Sequence, residues 1–167
     1  MTARALSIPG AVLGGESTPH ARLIDARVSG LDESRLVASA RALSDIAGAR
    51  WVSRSYRFPL ALVAWHDPPV GIDIERITAW DEAFAESIRT PAERTTGWPH
   101  DADGGYLSSL WSSKEALAKA LGDALAYDPR RLESPMAWPD GRSGPWRATT
   151  LIAAADHVAY WIGDRWM

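Results

Sequence analysis

Leu60-Ala61-Leu62-Val63-Ala64-Trp65-His66-Asp67-Pro68-Pro69-Val70-Gly71-Ile72-Asp73-Ile74-Glu75 is the stretch that decides the fold. The apolar run 60–65 is too short for a typical helix and is bounded by turn residues, which marks a buried strand. Asp67-Pro68-Pro69 makes the turn, and Val70 to Ile74 follows as a second strand, so the stretch predicts an antiparallel hairpin. In that second strand side chains two apart share a face: Asp73 and Glu75 project together while Ile72 and Ile74 point into the core. Two carboxylates on one pleat repel each other, and a cation, a proton or solvent at an exposed face relieves the repulsion. Gly71 leaves room at the strand entrance for close approach of backbone or ligand.

Outward from this hairpin the period changes. Leu36, Val37, Ala40, Leu43, Ile46 and Ala47 recur at three- and four-residue spacing, predicting an amphipathic helix over 31–47 with Asp32 as its cap. Pro91-Ala92-Glu93-Arg94 reads as a helix start, and Gly97 to Gly105 as a flexible loop in which Asp101 and Asp103 either bind a cation or are solvated, the solvated reading being favoured. A helix over 105–121 follows, with Gly122 as its stop. Trp146 to Ile152 and His157 to Ile162 form a second hairpin around Ala154-Ala155-Asp156. Two hairpins, each after a helix, predict an α+β chain of two similar halves with antiparallel sheets, approximately 20–75 and 76–167. Both belong to a single compact domain over 1–167, and the Gly- and Pro-rich residues 1–20 are expected to be loosely ordered.

Composition narrows the function classes. The chain has 167 residues, 46% hydrophobic and 23% charged, values of an ordinary globular protein. A net charge of -3 gives no general attraction to nucleic acid. Cysteine is absent, which removes disulfides, thiolate zinc sites and thiol nucleophiles and fits a reducing compartment. No run approaches the roughly 20 apolar residues of a membrane span, and the expected location is cytoplasmic. His20, His66, His100 and His157 lack metal-ligand spacing, and no Gly-rich phosphate loop is present. The nine tryptophans are read mostly as packing residues.

Trp111-Ser112-Ser113-Lys114-Glu115-Ala116-Leu117-Ala118-Lys119 lies on the predicted 105–121 helix. Trp111, Glu115 and Lys119 are one turn apart and share a face, so Glu115 and Lys119 suit either a surface ion pair or a functional constellation. With Asp73 and Glu75 they assemble three acidic groups beside lysines, a set suited to magnesium, which takes few carboxylates and completes its shell with water and phosphate oxygens.

Gly71-Ile72-Asp73-Ile74-Glu75 and Trp111 to Lys119, in that order, resemble the paired motifs G-[IV]-D-[IV]-E and W-[ST]-x-K-E-[AS]-x-x-K of the 4'-phosphopantetheinyl transferase superfamily. The segment from Glu75-Arg76 through 83–89 to Thr90–Glu93 also looks similar, and the resemblance covers about 60–162. It implies the fold of the larger, surfactin-type members, two α+β halves with a cleft between them. It further implies magnesium-dependent transfer of the 4'-phosphopantetheine arm from coenzyme A to a serine of an acyl or peptidyl carrier protein, with release of adenosine 3',5'-bisphosphate. By this likeness Asp73, Glu75 and Glu115 hold Mg2+. Glu115, or Glu75 through a water, accepts the serine proton, while Lys114 and Lys119 steady the phosphates and Lys119 also serves the catalytic set.

The upstream half departs from the resemblance. It is short, lacks the G-K-P element, and carries Ser55-Tyr56-Arg57 where the surfactin type has S-H-S, so a tyrosine replaces the histidine expected on the coenzyme A 3'-phosphate. Arg54, Arg57 or Arg50 either supplies a substitute charge, with Arg54 and Arg57 as the expected coenzyme A contacts, or belongs to an ordinary solvated strand face. Arg89, Arg94, Arg130 and Arg131 are candidates for a basic rim that steers an acidic carrier protein. The protein is expected to act as a monomer. The alternative is a non-catalytic or repurposed relative that binds a carrier protein, a coenzyme A fragment or a pathway metabolite.

Overall fold

The computed structural model describes residues 3–5, 20–96 and 104–164. In chain order the elements are β1 Ala3–Ala5, β2 His20–Asp25, α1 Ala26–Ser29, α2 Glu33–Ala47, β3 Trp51–Arg57, β4 Leu60–His66, β5 Val70–Arg76, α3 Glu82–Ile88, α4 Pro91–Thr95, α5 Gly105–Leu121, β6 Arg142–Ser143, β7 Trp146–Leu151 and β8 His157–Asp164. Local chemistry sets their ends. The Asp32 carboxylate accepts from Arg35 N to start α2, and that of Asp81 accepts from Phe84 N to start α3, each satisfying an N-terminal amide that the helix leaves without a partner. Thr90 and Glu93 close a capping box on α4 behind Pro91. Gly122 ends α5 in the left-handed region at φ 83°, where a side chain would be strained.

The strands form two antiparallel sheets, ordered β1-β2-β4-β3 and β5-β8-β7-β6. Each contains the same motif: strand, helix, then a hairpin whose second strand lies in the middle, giving β2-β4-β3 in one half and β5-β8-β7 in the other. The two similar halves are therefore present. Their boundary falls at the 67–69 turn rather than after Glu75, because β4 and β5 do not pair as the expected hairpin. β4 pairs with β2 and β3, whereas β5 crosses to the other sheet and pairs with β8 from Val70↔Gly163 to Arg76↔His157. Two consecutive prolines stiffen the turn and deprive it of amide donors, which suits a crossing between sheets as well as a hairpin bend. The β7–β8 hairpin forms as expected, with Thr149 opposite Trp161. Ala3–Ala5, within the segment expected to be loose, pairs with β2 as an edge strand.

The layers follow from side-chain alternation. Leu60, Leu62 and Ala64 of β4 meet Val70, Ile72 and Ile74 of β5 and Trp161 of β8 in a core shared by both sheets. The opposite face of the first sheet, with Ile24, Ala61 and Val63, packs on Leu36 and Ala40 of α2. The opposite face of the second, with Tyr160 and Ile162, packs on Ala116, Leu117 and Ala120 of α5. The order is thus helix, sheet, sheet, helix.

At one corner the edge strands β3 and β5 lie side by side without a backbone ladder among the described residues. Serines take its place: Ser53 Oγ accepts from Ile72 N at 3.0 Å and Ser55 Oγ from Ile74 N at 3.2 Å. Ser53→Ala is expected to orphan a buried amide and cost about 1–3 kcal/mol, measured by urea denaturation. A loss under about 0.5 kcal/mol would show that the seam holds without the serine bond. Gly71→Ala should cost more than that, since a Cβ there would stand 1.9 Å from Ala116 O and 2.6 Å from Ala120 N, so α5 would have to leave the sheet.

Candidate functional site

β5 turns Asp73 and Glu75 toward α5, and α5 answers with Trp111, Glu115 and Lys119 on successive turns. Gly71 permits this approach. Both β5 carboxylates are almost fully enclosed, at 3% exposure for Asp73 and 5% for Glu75. Buried carboxylates need donors, and each has them. Asp73 Oδ1 accepts from Lys119 Nζ at 2.7 Å and from Ser55 Oγ at 2.8 Å. Glu75 Oε2 accepts from Arg57 Nε at 2.5 Å, and the Arg57 Nη2 group joins the same oxygen; Glu75 Oε1 accepts from Trp111 Nε1 at 3.1 Å. Glu115 Oε1 accepts from the Tyr127 hydroxyl at 2.6 Å.

Negative charge in this cluster still exceeds its compensation. Burial, and then the charge of Asp73, push Glu75 up to about 7 against the pull of Arg57 and Trp111. Burial also raises Glu115, with Asp73 adding to the rise and the Tyr127 bond and Lys119 opposing it. Asp73 therefore acts electrostatically on both glutamates. Its own second oxygen, Oδ2, is buried with no hydrogen-bond partner among the described residues. An orphaned carboxylate oxygen beside two glutamates reluctant to ionise is the environment that a divalent cation relieves, and all-oxygen donors suit Mg2+. The donor set therefore fits the metal in its chemistry. It is not drawn into a closed cage: among the described residues no three His, Asp or Glu groups are arranged to hold an ion, since Lys119, Arg57, Trp111 and Tyr127 hold the carboxylates.

Lys119 joins this cluster to a cleft. The lysine, which also donates to Ile72 O at 3.2 Å, lines a space of about 610 Å³ together with Ser53, Arg54, Tyr56 and the 122–126 loop. That volume is within the range of small-molecule sites.

Of the residues singled out in the sequence, Asp73, Glu75, Glu115, Lys119 and Arg57 come together here. Arg57 meets Glu75, while Arg54, three residues earlier, lies on the other face of β3 and lines the cleft. The ion pair expected as one option between Glu115 and Lys119 gives way to Lys119–Asp73 and Tyr127–Glu115. Lys114, expected as a phosphate contact, stands elsewhere. It is fully enclosed, and its ammonium donates to Ile88 O at 2.5 Å, Glu93 Oε2 at 2.6 Å and Pro129 O at 2.9 Å. With three donors committed, no N–H remains for a phosphate, so Lys114 is corrected to a structural residue. Arg89 of the proposed rim is also buried, paired with Glu86, while Arg94 pairs with the same Glu86 and Arg130 with Asp128. Arg131 is exposed. Asp101 and Asp103 lie outside the described residues.

Sequence reasoning missed Ser53, Ser55 and Tyr127. The i, i+2, i+4 pattern Ser53-Ser55-Arg57 was a legible strand face, but nothing local showed that it would run beside Gly71–Glu75. Tyr127 follows a loop and had no periodic signal.

With the geometry in hand, the sequence profile of the 4'-phosphopantetheinyl transferase superfamily matches residues 69–158, just over half of the chain. The 4'-phosphopantetheinyl transferase psf-1 of Bacillus pumilus is 40% identical over 63 residues, which are 36% of this chain and 27% of that protein. The matched stretch therefore spans about a quarter of that relative's length. Among the described residues no helix is long and apolar enough to cross a membrane.

The raised Glu75 makes stability depend on pH. Its proton is held more tightly in the folded state, at about 7, than at the ordinary 4.5. The folded chain therefore binds more protons between those values, and its stability falls as pH rises through that window, by about 3 kcal/mol from this group. Glu115 adds a slope of the same sign. Urea midpoints measured from pH 4.5 to 8 without divalent cation should decline, and Glu75→Gln should flatten the decline. A variant that keeps the full wild-type slope would assign the titration to another group.

Proposed function

Because the chain belongs to the 4'-phosphopantetheinyl transferase superfamily, we propose that its cleft binds coenzyme A and that the Asp73–Glu75–Glu115 cluster supports transfer of the 4'-phosphopantetheine arm to a serine of an acyl or peptidyl carrier protein. The serine oxygen attacks the phosphorus that bears the pantetheine arm. The bond from that phosphorus to the bridging oxygen breaks, and adenosine 3',5'-bisphosphate leaves. The attacking hydroxyl comes from the partner, so the absence of cysteine costs the chain nothing. Its proton passes to Glu115, or to Glu75 through a water; burial raises the pKa of each carboxylate, which makes either a better proton acceptor than an ordinary surface carboxylate.

Lys119 carries the reading most directly. It touches Asp73 in the acidic cluster and lines the cleft beside it, so one cation faces both the carboxylates and whatever polyphosphate enters. A lysine acts as a compact point charge toward phosphate, and such preorganised charge is worth more in a partly enclosed site than in water. Arg54 is placed on the cleft wall to meet an anionic group of the same ligand. Mg2+ bound by Asp73, Glu75 and Glu115 would neutralise charge on the coenzyme A diphosphate. Carrier proteins as partners and magnesium as the metal belong to this proposal.

The test is incubation with coenzyme A, Mg2+ and a panel of apo-carrier proteins, followed by mass spectrometry. One carrier at least should gain the mass of a phosphopantetheine arm. Lys119→Met and Asp73→Asn should each lower kcat/KM by roughly 10²- to 10³-fold. Coenzyme A binding with no transfer to any carrier would favour a non-catalytic relative instead.

A further inference from the structure

We infer that Tyr127 is a positioning residue for the proposed transfer: its hydroxyl holds Glu115 and its ring braces Trp111, which holds Oε1 of Glu75 opposite the Arg57 contact on Oε2, so one aromatic pair fixes one oxygen of each glutamate. The inference rests on the reading of the acidic cluster given above.

Glu115 sits on a helix face whose natural partner, Lys119, is engaged by Asp73. A long, half-buried carboxylate without a fixed partner samples several rotamers. The Tyr127 hydroxyl, 2.6 Å from Oε1, removes that freedom and leaves Oε2 as the oxygen to serve substrate or cation. The Tyr127 ring lies 6.5 Å from that of Trp111, inclined by 29°, and the Trp111 indole donates to Glu75 Oε1. Behind Trp111 the wall continues: Phe84 meets its edge at 5.7 Å and Trp80 stacks on Phe84 at 4.1 Å. The two glutamates thus receive one hydrogen bond each from rings that rest on one another.

The loop bearing Tyr127 is itself held. Tyr127 N donates to Asp123 O at 3.1 Å, and two residues on, Pro129 O accepts from the buried Lys114 ammonium at 2.9 Å. Lys114 and Glu115 are adjacent on α5, so the lysine anchors the loop whose tyrosine then holds the neighbouring glutamate. Residues 122–126 of the same loop line the cleft, which places Tyr127 where ligand pocket and acidic cluster meet. Outer-shell donors of this kind orient ligating carboxylates, and losing one typically costs about 10- to 100-fold in metal affinity or activity.

Tyr127→Phe removes the hydroxyl and keeps the ring. Calorimetric titration with Mn2+ in the presence of coenzyme A should show affinity reduced about tenfold or more. In the carrier-loading assay kcat should fall by a similar factor while KM for coenzyme A stays within about twofold, the pattern of a group that acts on the reacting arrangement rather than on substrate binding. The melting temperature should move by no more than about 4 °C, as expected for one lost hydrogen bond in a chain of this size. Mn2+ affinity and kcat equal to the parent's would overturn the inference, and so would a large drop in melting temperature with kcat and KM failing together, which marks a merely structural tyrosine. A parent protein that takes up no Mn2+ and loads no carrier would overturn the proposed function, and this inference with it.

Discussion

The structure depends on the seam where β3 meets β5. Two sheets that end side by side expose rows of unpaired amides, and a buried amide without a partner costs about as much as a lost hydrogen bond. Here Ser53 and Ser55 accept from Ile72 N and Ile74 N, so short side chains do the work of a neighbouring strand while the backbones stay too far apart to pair. That separation matters for the site. A continued ladder would have placed β3 backbone against β5, whereas the serine spacing leaves room for Ser55 to reach Asp73 and for Arg57 to reach Glu75, each across the same 18 residues of sequence. The seam that joins the halves therefore also supplies donors to the carboxylates of β5.

Charge then distinguishes this corner from ordinary packing. Asp73 and Glu75 are buried side chains on one pleat, with Glu115 facing them from α5. Enclosing ionised carboxylates costs several kcal/mol each unless they are paired and hydrogen-bonded. Lys119 and Arg57 provide one cation for each β5 acid, yet Asp73 Oδ2 has no hydrogen-bond partner among the described residues and both glutamates remain reluctant to ionise. Hydrophobic residues of similar size would be more stable here, so the arrangement makes sense as a store of negative potential beside an open cleft.

Elements governed by local chemistry were legible in the sequence, and those governed by meeting were not. The 105–121 helix and its Gly122 stop, the Asp32 cap, and the β7–β8 hairpin are local events with caps, periods and turn residues to announce them. The two acidic strand residues and the Trp111–Glu115–Lys119 face were legible for the same reason, because strand and helix periods dictate which side chains project together. The β4–β5 hairpin failed because the residues of a turn do not reveal whether the following strand folds back or crosses to another sheet; that choice is made by β8, some ninety residues later. Lys114 was misplaced for a related reason. A helical wheel assigns it a side of α5, but only the arrival of Glu93, Ile88 O and Pro129 O shows that this side is interior.

The burial of Lys114 changes the meaning of the motif around it. Glu93 closes the capping box of α4, accepts from Ser134 N at 2.8 Å and pairs with Lys114, so a single carboxylate ties α4, the 134 segment and α5 together. Burial lowers the Lys114 pKa and Glu93 opposes that shift, the signature of a charge kept inside by its partner. Removing either member would strand the other, which is far costlier than losing a surface pair. The lysine of the pair Lys114-Glu115 thus fixes the frame and the glutamate faces the acidic cluster. One helical residue apart, they point about 100° from each other around α5, which lets adjacent residues face the core and the acidic cluster at once.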